Sequence, residues 1–403
     1  MPRPTVLLLS TSDTDLITAR ASGAEYRWAN PSRLIEGELE ELLAGAGVVV
    51  TRILGGYRAW QDGIDAVAAS GVPAVVISGE QAPDADLMER STVPAGIAVQ
   101  THNYLAQGGV DNLRQLHAFL CDTVLMTGFG FSPPAATASW GVPERETAAG
   151  AGPTIAPADG NGPTVAVLYY RAQQLAGNTA YVEALCAAIE RAGGRPLPVY
   201  CTSLRTPEPE LLELLATADA MVVTVLAAGG APPATVGAGG DDDGWDVKHL
   251  AALDVPILQG LCLTSSRSKW AGNDDGLSPL DVATQVAVPE FDGRIITVPF
   301  SFKEIDADGL ISYVPDPERC ARVAGLAVNH ANLRRVAAPD KRLALVFSAY
   351  PTKHSRIGNA VGLDTPASAL ALLGALRDAG YDIGEVPGLA AGDGDALMHT
   401  LIE

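Results

Sequence analysis

The chain has 403 residues, 47% of them apolar, and 27 Lys plus Arg stand against 47 Asp plus Glu for a net charge of −20. That length points to two or three domains with room for real cores. So acidic a chain lacks the clustered cations that a nucleic-acid surface sets against phosphates, and no run approaches the roughly 18 uncharged apolar residues of a membrane helix. No nucleic acid and no membrane are therefore expected as partners.

The apolar start Val6-Leu7-Leu8-Leu9 is too short for a signal-peptide core and reads as a buried first strand. Short β-branched runs at 5–10, 26–28, 48–53 and 73–78 alternate with helix-length stretches at 13–22, 32–44, 58–70 and 103–120. Such alternation is the pattern of a parallel sheet with helices on both faces, here a flavodoxin-like first domain over 1–131. Residues 132–163 are dense in turn formers and read as a linker or surface excursion. The pattern restarts with strands at 164–170, 196–200, 221–226, 255–258 and 295–298 and helices at 179–193, 208–217, 278–287 and 316–336. A second doubly wound domain over 164–338 is expected.

Within it, the Gly- and Asp-rich run 227–244 supplies few apolar contacts to offset ordering entropy and is expected to be a mobile loop. Its Asp241-Asp242-Asp243 lacks the alternation of a calcium loop and reads as a solvated tip. A third α/β unit, 339–403, is expected to open with a strand at 343–349, a helix at 365–379 capped by Asp364 or Thr365, and a strand at 381–386, and then to stop incomplete. The apolar segment 398–403 would be left disordered or in contact with a neighbour, as in an N-terminal fragment of a longer polypeptide.

No Gly-Lys dipeptide occurs, which excludes a P-loop; H-E-x-x-H and G-x-S-x-G are also missing, and Gly128-Phe129-Gly130 lacks the third Gly of a dinucleotide fingerprint. The five Cys, at 121, 186, 201, 262 and 320, are odd in number and widely spaced, so they read as small buried hydrophobes in a reducing cytoplasm.

Chemistry is then sought at strand ends, where open α/β sheets bind ligands. One such loop follows the strand ending at Tyr170: Arg171, then Gly177 and the candidate caps Asn178 and Thr179, an arrangement suited to a carboxylate. The plainer alternative makes Asn178 or Thr179 only a cap and Arg171 only a surface ion pair. A second loop carries Lys353, His354 and Arg356, a basic cluster in an acidic chain, fit for an anionic ligand, with His354 a weak candidate for proton transfer or metal ligation.

Four strings carry a resemblance: YYRAQQLAGNTAYVEALCAAIERAGGRPLPVYCTSL at 169–204, DVPILQ at 254–259, GLSPLDVATQVAVPEFDGRIITVPFSFKE at 276–304, and RIGNAVGLDTPASALALLGALRDAGYDI at 356–383, with YLAQGGVDNLRQL at 104–116 in support. In this order they resemble the CobN family, the large subunit of aerobic cobaltochelatase, related to the H-type large subunit of magnesium chelatase. The resemblance implies a tetrapyrrole-binding, metal–nitrogen ligase subunit that inserts Co²⁺ into hydrogenobyrinic acid a,c-diamide in cobalamin biosynthesis. ATP and Mg²⁺ would be handled by partners, an AAA+ subunit and an adhesion-domain-type subunit, which suits the missing P-loop. On this reading the chain holds head, neck and the start of a body, is inactive alone, and has its catalytic set beyond residue 403. The family commonly has Asn-Tyr-Pro where this chain has Ala349-Tyr350-Pro351. The alternatives are a magnesium chelatase H-type subunit acting on protoporphyrin IX and a two-domain module that closes on a small anion by hinge motion.

Overall fold

The structure, a computed structural model, describes residues 5–128, 130–143, 162–226, 247–347, 358 and 361–402. Residues up to 328 form one compact unit and residues 329–403 a second.

The first unit is built on two sheets. Strands β1 (Thr5–Ser10), β2 (Tyr26–Ala29), β3 (Ala46–Ile53) and β4 (Ala74–Ser78) form an all-parallel sheet of order β2-β1-β3-β4. Its strands are apolar on both faces because both are covered. Val6, Leu8, Val50 and Ile77 meet the helices Asp13–Ala21, Ala95–Gln107 and Val110–Thr123, while Leu7, Leu9 and Val49 meet Leu43 and Val67 from the opposite layer. That is the doubly wound arrangement expected of near-continuous Val and Leu runs. The helix expected over 103–120 is two helices. Gly108 and Gly109, at φ 67° and 91°, take a left-handed backbone that other residues adopt only with strain, and they break the chain there.

The second sheet runs β11-β10-β9-β8-β6-β7-β5. Its parallel centre is β6 (Thr164–Tyr170), β7 (Arg195–Cys201), β8 (Ala220–Val223), β9 (Ile257–Leu263) and β10 (Ile295–Ile305). Antiparallel strands close both edges, β5 (Trp140–Gly141) against β7 and β11 (Ile311–Pro315) against β10, so the sheet is mixed. The strand expected at 255–258 is longer and shifted, and the one expected at 295–298 starts as expected but runs on to Ile305. Proline caused the second misreading: Pro299 cannot donate to a ladder, yet β10 continues past it because its register against β9 shifts on either side of that residue. The helix expected at 278–287 extends to Phe291, and its middle, Ala283–Ala287, widens to a π turn just before Pro289, whose ring and missing N–H forbid an ordinary preceding turn.

The β10–β11 turn ties this sheet to the first. Asp306 Oδ1 accepts the Asp308 and Leu310 amides, Gly309 sits at φ 74°, and Arg20 Nη1 donates to Asp306 (2.6 Å) and Asp308 (2.9 Å). Leu310, 1% exposed, completes the core of the first sheet beside Leu16 and Ile17. Part of the expected linker is pinned as well. Asn112 exchanges hydrogen bonds with the Ala135 backbone, and Thr137 Oγ1 donates to the Gln107 carbonyl at 2.7 Å.

In the second unit, the helix Thr365–Asp378 is capped by Asp364, whose carboxylate accepts the Ala367 amide at 3.1 Å, with Pro in the first turn as expected. The strands expected at 343–349 and 381–386 are not formed by the described residues of either stretch. An apolar run becomes a strand only beside a neighbour that pairs its N–H and C=O groups, and here Leu343 and Val346 stay 62% and 85% exposed. The tail expected to be disordered or in contact with a neighbour is, over its described residues, the end of the helix Gly394–Ile402; the helix buries Leu397 against Ala369 and Leu370 and leaves Leu401 and Ile402 53% and 42% exposed. The loop 227–244, with Asp241-Asp242-Asp243, lies outside the described residues.

Candidate functional site: the strand-end crevice of the second sheet

The second sheet reverses its strand order at β6, with β7 on one side and β8 on the other, so its crevice opens at the carboxyl ends of these three strands. Arg171 sits there, directly after β6 and at the start of a short helix, Arg171–Ala176, that Gly177 ends at φ 69°. It is neither a surface ion pair nor an open anion receptor. At 8% exposure its Nε donates to the Ala138 carbonyl (2.7 Å) and its Nη2 to the carbonyls of Gln107 (2.7 Å) and Thr137 (3.4 Å). Burial lowers its pKa, with the Tyr200 phenol opposing.

Thr179 stands at the N-cap position of the helix Ala180–Arg191, as expected of one of the two candidates, but makes no side-chain cap hydrogen bond. Asn178 Oδ1 is taken by the Tyr313 amide of β11 at 3.1 Å, and the Thr179 hydroxyl donates to Glu183 Oε1 at 2.7 Å. Asn178 therefore joins the β6 loop to the far edge of the sheet. Lys353, His354 and Arg356 lie outside the described residues.

Three residues that the sequence pattern did not mark complete the crevice. Arg294, in the turn before β10, donates Nη1 to the Val225 carbonyl and Gln259 Oε1 (both 2.8 Å), and Nη2 to the Leu226 carbonyl (2.9 Å) and Asp292 (2.7 Å). Both side chains of the Arg294–Asp292 pair are fully buried. Burial lowers the Arg294 pKa and Asp292 opposes that. The Tyr170 hydroxyl accepts the Leu226 amide at 2.8 Å, and burial pushes its phenol up. Arg205, in the loop after β7, is exposed, has no carboxylate partner among the described residues, and exerts its charge on Tyr170. The Asp-Gly-Arg turn at 292–294 carried a usable signal, charge and a flexible turn just ahead of an apolar strand; Arg205 had none beyond its sign.

The same construction recurs at the carboxyl edge of the first sheet. Arg52 Nη1 donates to Asp15 Oδ1 (2.7 Å) and Nη2 to the Gly79 carbonyl (2.9 Å), while Ser10 Oγ donates to the other Asp15 oxygen (2.6 Å). His102 Nε2 lies 3.2 Å from the Glu80 carbonyl, and burial lowers its pKa. In both sheets, then, buried guanidinium groups hold strand-end loops by their carbonyls. At the second crevice Arg205 is, among the described residues, an exposed cation with no carboxylate partner.

Among the described residues, no group of three or more His, Cys, Asp or Glu is placed to hold a metal ion, and no helix is long and apolar enough to cross a membrane. The cysteines are free thiols, four of them buried, with burial pushing Cys201 and Cys320 up to about 12.

Residues 102–403 match the family model described as CobN/Magnesium Chelatase. The aerobic cobaltochelatase subunit CobN of Pseudomonas aeruginosa is 33% identical over a match covering 98% of this chain and 33% of its own length. The solved structure of the catalytic subunit of cobaltochelatase from Mycobacterium tuberculosis is 73% identical, covers 100% of this chain and 33% of its own, and superimposes with a TM-score of 0.77. The H-type subunit of magnesium chelatase from Rhodobacter capsulatus is 26% identical over a match covering 55% of this chain and 19% of its own length. The chain spans about a third of the length of its cobaltochelatase relatives.

Proposed function

The chain belongs to the CobN/Magnesium Chelatase family, and on that premise we propose that it forms part of the tetrapyrrole-binding large subunit of a cytoplasmic, ATP-dependent cobaltochelatase. The reaction is insertion of Co²⁺, as substrate, into hydrogenobyrinic acid a,c-diamide. The observation that carries this reading is the 73% identity, over the whole chain, to the catalytic subunit of a cobaltochelatase. ATP hydrolysis falls to an AAA+ subunit and its adhesion-domain-type partner, in keeping with a sequence that has no Gly-Lys dipeptide. Residues 1–131, 164–338 and 339–403 serve as head, neck and the start of a body, and residues 1–403 alone carry neither chelatase nor ATPase activity.

A corrin precursor is a flat apolar ring rimmed by carboxylates and amides, so its site needs an apolar cleft bordered by cations. In the crevice of the second sheet Arg205 is such a cation; Lys353 and Arg356 are separate candidates that rest on the sequence. Arg171, with Asn178 and Thr179 in the same loop, fixes the 137–138 backbone and the Gln107 carbonyl at the mouth of the crevice. Insertion also needs a base for two ring N–H protons and ligands that strip water from a borderline metal, and His354 is the candidate in this chain.

Two observations weigh against the alternatives. The magnesium-chelatase relative matches at lower identity and over a shorter stretch. Leu310 and the pairing of Arg20 with Asp306 and Asp308 join the two sheets, which weighs against a module that closes on a small anion by hinge motion between them.

The test is equilibrium binding to the complete large subunit. A charge-assisted hydrogen bond to the rim contributes roughly 1.5–3 kcal/mol, so Arg205→Ala or Arg356→Ala should weaken corrinoid binding about 10- to 150-fold. Unchanged affinity in the double variant removes both residues from the rim. Tighter binding of protoporphyrin IX than of the corrinoid transfers the protein to the magnesium branch.

A further inference from the structure

A cavity of about 290 Å³ opens where the loop after β2 faces the β10–β11 turn, with Trp28, Leu34 and Ile305 supplying apolar wall and Arg33, Glu38 and Asp308 lying at its polar edge. Its apolar side continues outward, for Ile305 is 63% exposed and Ile35, next to Leu34, is 75% exposed. Both are large aliphatic side chains left in water beside a preformed hollow.

The polar edge is acidic. Glu36, Glu38, Glu40 and Glu41 follow one another along 36–41 with no cation among them, and all but Glu38 are exposed. The nearby arginines are engaged: Arg33 pairs with Asp13 at 2.8 Å, and Arg20 pairs with Asp306 and Asp308. An anionic ligand is therefore repelled. The cavity also sits at the lower bound of about 300–1,000 Å³ for small-molecule pockets, which suits one or two anchoring side chains better than a whole cofactor.

We propose that this groove is a docking site for a basic, amphipathic helical segment of a partner protein, with an apolar side chain seated between Trp28 and Ile305 and Lys or Arg residues meeting Glu36, Glu40 and Glu41 beside it. Charge complementarity and the exposed aliphatic rim together select this occupant, the general mode by which an amphipathic helix fills an apolar groove. Because one wall comes from each sheet, the segment reads the two sheets in their locked arrangement. The proposal is independent of which metal or tetrapyrrole the protein acts on.

The experiment is a fluorescence-anisotropy titration of the whole chain with a labelled leucine–lysine amphipathic peptide and its leucine–glutamate counterpart. Preferential binding of the lysine peptide is expected, weakened at least tenfold by Ile35→Asp and by Ile305→Asp and unchanged by Met126→Asp, an exposed residue outside the groove. Hydrogen exchange should slow over 34–41 and 305–310 on binding. Equal affinity of both peptides, equal affinity of all three variants, or protection confined to other segments overturns the proposal. Self-association of the wild-type chain that Ile35→Asp abolishes also overturns it, since a second copy is then the occupant. Ile35 is mostly exposed, so its variant tests the groove without risk to the fold.

Discussion

Arg171 shows how far a single residue can depart from its surroundings in sequence. It follows a strand and precedes a glycine, as an anion-binding arginine does, yet its donors end on the backbone carbonyls of residues 107, 137 and 138. Truncation orphans those acceptors, each at a cost of about 1–3 kcal/mol when buried. Arg171→Ala should accordingly lower stability in urea by several kcal/mol while leaving any change in corrinoid affinity secondary; a melting curve like that of the wild type would return Arg171 to the ligand. His102 gives a second residue-level expectation. Burial, aided by the Arg52 charge and opposed by the Glu80 carbonyl, lowers its pKa below 6.5, so the folded protein binds its proton less readily than the unfolded chain does. The associated stability is complete at neutral pH and falls as pH drops below about 6.5. Urea titrations at pH 7 and 5 should show that loss reduced in His102→Gln, and an identical loss would place the titration elsewhere.

The β10–β11 hairpin is the element with the widest reach and the one least legible in the sequence. Its Asp-Gly turn at 308–309 is an ordinary hairpin signal, but Pro299 made the first strand look finished four residues in. The Val and Leu runs of the parallel strands were legible because burial on both faces leaves no ambiguity, whereas a strand with a proline at a register shift, or an apolar run such as 343–347 without a neighbour, depends on partners that local pattern does not show. The hairpin's ion pair sets an acid limit. Burial raises the Asp306 carboxyl, but the Arg20 guanidinium together with the Leu310 and Asp308 amides outweighs it and holds the group below 3.8. A depressed carboxyl contributes stability that is present above its unfolded pKa and lost as pH falls through the folded value. Stability should therefore drop below about pH 4 in the wild type and less in Asp306→Asn; parallel pH profiles would show that the pair contributes nothing.

At the scale of the first unit, two sheets are joined by the buried Leu310 and by the exposed ion pairs of Arg20. The sequence showed two α/β patterns and a turn-rich connection, and it could not show that a residue from the second pattern fills the core of the first. Leu310→Ala removes a side chain that is 1% exposed, a change that costs about 2–5 kcal/mol in well-packed cores. The loss falls on the coupling as well as on the first core. Unfolding should broaden or split into two steps, readable as noncoincident transitions by tryptophan fluorescence and far-UV circular dichroism, and a single sharp transition at an unchanged midpoint would deny the coupling.

Leu310 also orders events during synthesis. At about 5–20 residues per second, the ribosome finishes the last helix of the first sheet, ending at Thr123, on the order of ten seconds or more before it supplies the leucine that closes that core. Through that interval the nascent first layer carries an unfilled apolar hole. Chaperone occupancy should be greatest in this window, and separate expression of the first sheet should give a protein that is soluble only when residues 306–310 are provided in trans.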